Sequence, residues 1–235
     1  MREIKKPALC GCLVDAPVSD LPDLMRRPEL DMLEWRLDLF AENHSWGATF
    51  EALSALTPDS SSRLPVLATN RPKEQGGAFD GPEFLRIDAL LRAASAGAEW
   101  VDLEADASDG ALERLRSRDV GVLLSHHDFA GTPDSDFLRR KLECMARRGA
   151  DALKFITYAR EPSDNLRALD LIAFGRGELG MDVIAFCMGP LGRWSRIACL
   201  LLGSPWTYVQ LPGQSGSAPG QLSPSDARSL LEALQ

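Results

Sequence analysis

The sequence predicts a (β/α)8 barrel, a single domain over residues 1–235. Three observations carry this. Short apolar runs that read as strands alternate strictly with segments of helical periodicity, eight of each. No linker long enough to divide the chain interrupts them. Several strands carry charged residues on one face, and those faces require a shared polar interior. A closed barrel supplies that interior. A doubly wound open sheet, the structural competitor, is covered on both sides and does not.

The elements follow in order. Ala8–Val14 reads as a strand with Cys10 and Cys12 on one face, and Asp20–Arg27 as the helix after it. In Met32–Phe40, Leu33, Trp35, Leu37 and Leu39 share one face, and Glu34, Arg36 and Asp38 the other. The helix Trp46–Leu56, the strand Pro65–Arg71 and the helix Pro82–Ala96 come next. In the strand Trp100–Asp106, Val101 and Leu103 oppose Asp102, Glu104 and Asp106, and the helix Asp109–Arg118 follows. Val120–Asp128 ends on His126-His127. Thr132-Pro-Asp-Ser135 opens the helix Ser135–Arg148, and Gly149 closes it after two arginines. Asp151–Ala159 places Lys154 opposite Leu153 and Phe155, ahead of the helix Ser163–Gly175. The strands Asp182–Gly189 and Thr207–Pro212 alternate with the helices Trp194–Leu202 and Ser225–Leu234, the last opened by Ser223-Pro-Ser-Asp226.

Composition narrows the function. Hydrophobic residues make up 45% of the chain, enough for a sizeable core. The net charge of −8, with no block of Lys or Arg, argues against nucleic-acid or membrane-surface binding. No apolar stretch reaches the roughly 18 residues of a membrane span. Met1–Lys6 is charged but no apolar signal core follows, so a cytoplasmic location is expected. Five cysteines (Cys10, Cys12, Cys144, Cys187, Cys199) give an odd number and no C-x-x-C pair, which suggests neither a disulfide framework nor a zinc site. They are read as reduced, mainly core residues.

In a barrel the chemistry sits at the C-terminal strand ends. The candidates there are Glu34, Arg36, Arg71, His127, Lys154, Met188, Arg196, Ser217 and Gln221. Lys154 stands out because a buried lysine must find a partner, lose its proton or do chemistry. A neutral amine attacks ketones to form Schiff bases. The plainer reading is an ion pair with Glu34 or Glu104. Alternation turns only one histidine of the pair inward, His127, a candidate general acid–base. His126 and His44 are read as incidental. Arg36, Arg71 and Arg196, from three elements, could together hold a carboxylate and hydroxyls. Gly213–Gly220 reads as a lid or a plain surface loop, and Met188–Gly192 as a weak phosphate cradle.

These residues resemble those of the type I 3-dehydroquinate dehydratases, the Schiff-base dehydroquinases of the shikimate pathway. The matching segments are Glu34-Trp-Arg-Leu-Asp38, Thr69-Asn-Arg71 with Gly76-Gly77, Asp102-Leu-Glu104, Ser125-His-His-Asp-Phe129 with Thr132-Pro133, Lys154, Met188-Gly189 with Gly192, Ser195-Arg196, Gly203-Ser204 and Ser217-Ala-Pro-Gly-Gln221. They run in the family's order over nearly the whole chain. The resemblance implies a barrel with no cofactor and no metal, acting on 3-dehydroquinate to give 3-dehydroshikimate and water. Lys154 then matches the imine-forming lysine and His127 the acid–base. Glu34, Arg36, Arg71, Arg196, Ser217 and Gln221 match the substrate-binding positions, with Arg196 on the carboxylate. A homodimer is one assembly compatible with this reading. The chain departs from the family pattern at Gln75, where a glutamate is expected before Gly76-Gly77, so either Gln75 or the adjacent Glu74 is the candidate neighbour of His127. A Schiff-base aldolase on the same barrel, or a catalytically weakened barrel that binds a shikimate-type ligand, are the alternatives.

Overall fold

The computed structural model describes residues 7–14, 16–40, 46–56, 63–214 and 216–234. Met1–Lys6, His44 and Ser215 of the expected lid lie outside them. Among the described residues eight strands alternate with eight α-helices: β1 (Ala8–Leu13), α1 (Leu21–Leu24), β2 (Met32–Arg36), α2 (Trp46–Leu56), β3 (Val66–Thr69), α3 (Glu83–Ser95), β4 (Trp100–Glu104), α4 (Asp109–Arg116), β5 (Gly121–His127), α5 (Ser135–Ala146), β6 (Ala152–Tyr158), α6 (Asp164–Phe174), β7 (Asp182–Met188), α7 (Ser195–Leu201), β8 (Trp206–Gln210) and α8 (Pro224–Leu234). All the strand pairs are parallel, in chain order from β1 to β7, with β8 returning beside β1. This is the predicted (β/α)8 barrel. Among the described residues no backbone ladder joins β7 to β8. Side chains bridge that seam instead: the Phe186 and Tyr208 rings lie 6.4 Å apart, and the Ser204 hydroxyl donates to the carbonyl of Val183 at 2.9 Å.

Parallel pairing aligns the polar residues on the inner face. Cys12 lies opposite Glu34, Thr69 opposite Asp102, Glu104 opposite Ser125, and Ser125 opposite Lys154. Directly paired residues in a ladder point to the same side, so these groups share the interior. Trp100 and Trp206 have the same parity and meet edge to face at 5.4 Å near the N-terminal ends, where they plug the barrel floor. The outward faces pack on helices, as with Trp35, whose ring meets Phe40 and Phe50 at 5.7 Å each.

Several expected boundaries move, three of them for reasons the structure shows. α1 stops at Leu24 rather than Arg27, because Pro28 disfavours helical geometry at the residue before it. β2 ends at Arg36, and the chain turns there, with the Leu39 N–H donating to the Arg36 carbonyl at 3.0 Å. β4 ends at Glu104 in a similar turn closed by the Ala107 N–H. Asp106 was expected on the inner face, but the turn breaks the alternation and leaves it exposed. α5 starts as expected, with the Asp134 side chain accepting from the Phe137 N–H.

The opposite rim is held by Arg63, which precedes β3. Its guanidinium donates to the Gly97 carbonyl at 2.8 Å and pairs with Glu99 at 2.9 Å. Truncating one partner of a buried pair leaves the other charge uncompensated. Arg63→Ala should lower unfolding stability in urea by about 3 kcal/mol and leave ligand binding at the far rim intact. A loss under about 1 kcal/mol would show that this clamp carries little of the fold.

Candidate active site

A cavity of about 130 Å³ opens at the C-terminal ends of the strands. All nine candidates line it: Glu34, Arg36, Arg71, His127, Lys154, Met188, Arg196, Ser217 and Gln221. Its size suits a small polar molecule.

Lys154, on β6, is buried, with Nζ 3.2 Å from Asp102 Oδ2, 3.9 Å from Glu34 Oε1 and 4.3 Å from the centroid of the Tyr208 ring. The pairing carboxylates are therefore Asp102 and Glu34. Glu104, the other expected partner, is taken by Arg71 at 2.7 Å and by Arg86. Asp102 is fully buried. Burial alone would raise its pKa, but Arg71 at 2.7 Å, Lys154 and the Ser125 hydroxyl at 2.6 Å hold the carboxyl well below the usual range. Burial keeps the Glu104 carboxyl raised in spite of its two arginines.

His127, at the end of β5, faces the cavity, while His126 packs outward against Phe155 at 4.9 Å, as alternation required. The His127 ring stacks on Phe129 at 6.1 Å, and its buried Nδ1 finds no hydrogen-bond partner among the described residues. Burial first, then the positive charges of Arg71 and Lys154, push its pKa well below the usual value, with Asp102 opposing. The imidazole is thus neutral near pH 7. Neither loop residue is seen to pair with it. Gln75 lines the cavity but donates to Asp106 Oδ2 at 2.7 Å, and Glu74 is exposed.

The three arginines divide. Arg36 is chelated by Asp38 at 3.0 and 2.8 Å, and Arg71 by Asp102 and Glu104. Arg196, on α7, meets no carboxylate among the described residues. Its Nη2 donates to the Pro219 carbonyl at 2.9 Å, its guanidinium lies 4.5 Å over the Phe186 ring, and its buried Nε has no partner. Burial draws its pKa down to about 10. All three line the cavity, as a set expected to hold a carboxylate and hydroxyls would, and Arg196 is the one of them that meets no carboxylate among the described residues.

Part of the Gly213–Gly220 loop lines the cavity. Ser217 and Gln221 line it with Ala218 and Pro219, and Gln221 Oε1 accepts from the Ser217 N–H at 2.9 Å. Gln221 Nε2 donates to Cys12 Sγ at 3.2 Å, and that thiol donates to Glu34 Oε2 at 3.2 Å. Cys12 was read as a core residue; alternation with Glu34 across β1 and β2 was the available sign that it faces the site. Burial pushes its thiol up to about 12, so it serves as a neutral donor. Asp102 and Tyr208 were also missed as contacts of Lys154. In Met188–Gly192, the segment read as a weak phosphate cradle, the glycines are required by packing. A Cβ on Gly189 would meet the Tyr158 ring at 2.7 Å and one on Gly192 the Cys187 carbonyl at 2.4 Å, so these glycines serve close packing. Among the described residues no cluster of His, Cys, Asp or Glu is arranged to hold a metal ion, and no helix is long and apolar enough to cross a membrane.

Comparison with known proteins gives a consistent result. The family model for type I 3-dehydroquinase matches residues 9–235. The chain is 48% identical to a 3-dehydroquinate dehydratase of Syntrophobacter fumaroxidans, covering 95% of each chain. It is 37% identical to one of Dehalococcoides mccartyi, over 93% of this chain and 92% of that one. The crystal structure of 3-dehydroquinate dehydratase from Geobacillus kaustophilus superposes with a TM-score of 0.85 at 28% identity, covering 98% of this chain and 92% of that one.

The electrostatics of His127 can be tested directly. Histidine resonances followed through a pH titration should include one, removed by His127→Asn, that stays neutral well below its ordinary value of 6.5. Titration of that signal at or above 6.5 would contradict the burial and cation field described for it.

Proposed function

This chain belongs to the type I 3-dehydroquinase family, and from that premise we infer that it dehydrates 3-dehydroquinate to 3-dehydroshikimate through an imine on Lys154, with His127 as acid and base. The observation that carries the reading is the charge inventory of the buried interior. Among the described residues around the cavity and its polar layer, five cations (Arg36, Arg71, Arg86, Lys154 and Arg196) face four carboxylates (Glu34, Asp38, Asp102 and Glu104), and Arg196 is left without one. A substrate carboxylate would balance the set, and a guanidinium binds it in planar, bidentate fashion.

With its carboxylate on Arg196, the substrate lays its ketone towards Lys154. Attack of the amine on C3 and loss of water give the imine. Asp102 and Glu34 flank the nitrogen and favour its protonated form, which withdraws electrons from C2. His127 removes the C2 proton. The same field that keeps its imidazole neutral makes its imidazolium a strong acid, suited to protonating the departing C1 hydroxyl. Hydrolysis of the imine then frees the lysine and the product. Ser217 and Gln221 hold the lid over the substrate and limit access of water.

The Schiff-base aldolase reading asks for a phosphate site, and in its first candidate, the Met188–Gly192 segment, the glycines are accounted for by close packing on Tyr158 and Cys187. A barrel that only binds ligand is disfavoured by the presence of Lys154 and His127 in one cavity.

Two variants test the assignment. The product is a conjugated enone, so turnover is followed by ultraviolet absorbance. Lys154→Met should abolish it while the protein remains folded. Arg196→Met should cost roughly a hundredfold or more in kcat/KM, since a buried charge-assisted contact is lost. It should melt no lower than the parent, because it removes a buried cation that no carboxylate offsets. Turnover by Lys154→Met, or an Arg196→Met enzyme of unchanged kcat/KM, would overturn the respective role.

A further inference from the structure

We propose that Gln75 and Asp106 form a latch that holds the 71–79 loop down on Phe129, so that both act as positioning residues for His127. The proposal rests on the role given to His127 above.

The base of this loop is fixed at both ends. Arg71 is anchored in the interior by Asp102 and Glu104. At the far end the Phe79 N–H donates to the Arg71 carbonyl at 3.1 Å, and Asp38, which chelates Arg36, accepts from the Ala78 N–H at 3.1 Å. The tip is a single 3-10 turn, Lys73–Gln75, ending on Gly76 at φ +77°. Its side-chain tie to the barrel is the 2.7 Å hydrogen bond from the Gln75 amide to Asp106, just beyond the end of β4.

Contacts run from that tip to the imidazole. Gly76 sits so close to Phe129 that a Cβ there would lie 2.4 Å from the ring, and Phe129 stacks on His127 with an interplanar angle of 16°. Phe129 is half exposed, so the contact from the loop is one of the few that can fix its ring beside His127. The polarity of the latch also accounts for the residue at position 75. A glutamate there would face Asp106 with like charge, whereas glutamine, of the same shape, donates. The groups that set the charge around His127 come from elsewhere: Arg36 from β2, Arg71 after β3, Asp102 from β4 and Lys154 from β6.

Reversing the pair tests this. Gln75→Glu and Asp106→Ala should each speed backbone hydrogen exchange in the peptide covering residues 73–79 and lower kcat by roughly fivefold, as for a coupled contact pair. The double variant Gln75→Glu/Asp106→Asn turns the donor and acceptor around and should return both readouts to within about twofold of the parent. In Asp106→Ala the acidic limb of kcat/KM should move to higher pH. Water reaching His127 favours the imidazolium, while loss of the Asp106 charge alone would act in the opposite sense. Unchanged loop exchange in the single variants, or a double variant as impaired as Gln75→Glu, would overturn the latch. If the parent shows no dehydration at all, the proposed function falls, and the exchange data still decide the latch.

Discussion

The interior of this barrel depends on one carboxylate. Asp102 has no exposed surface, and it pairs at once with Arg71, Lys154 and the Ser125 hydroxyl. An isolated buried charge is expensive, and two buried cations beside each other more so. Asp102 makes both tolerable, and it does so from β4 while reaching groups that come from the end of β3, from β5 and from β6. The polar layer above the Trp100–Trp206 floor is therefore a cross-barrel network. Removing any member of it would leave its partners uncompensated.

This network also creates the site's selectivity. Carboxylates of the protein occupy Arg36, Arg71 and Arg86, and Lys154 is placed between Asp102 and Glu34. Arg196 is left with a carbonyl and an aromatic face. The fold thus presents one unspent cation at the rim and one paired amine below it, with a neutral imidazole alongside. In the proposed function these three groups answer to the carboxylate, the ketone and the transferred proton of the substrate. The lid reports on the same arrangement, because Gln221 touches Cys12, and Cys12 touches Glu34 beside the lysine.

Much of this was legible in the sequence, and the limits are physical. Period-two alternation identified the inner faces of the strands, and with them Glu34, Asp102, His127 and Lys154. It failed where the backbone turns: it carried Asp106 inward past the true end of β4, and it read Asp38 as part of β2, although the turn after Arg36 brings that side chain back to chelate the arginine. Which charges pair could be read only in part: Glu34 was among the expected partners of Lys154 and is one. The pairing of Lys154 with Asp102 rather than Glu104 depends on distances across the barrel, and sequence spacing does not encode them. Cys12 was passed over for a related reason. A cysteine in an apolar run reads as core, and only the register opposite Glu34 reveals that it borders the cavity.

The central claim is that the amine of Lys154, held among buried carboxylates, forms a covalent imine with a keto acid seated on Arg196. Mixing the protein with 3-dehydroquinate and sodium borohydride, followed by intact mass and peptide mapping, tests it most directly. The account predicts one reduced adduct per chain, located on Lys154 and absent from Lys154→Met. An adduct on another lysine, such as Lys73 or Lys141, or turnover with no adduct trapped, would contradict it.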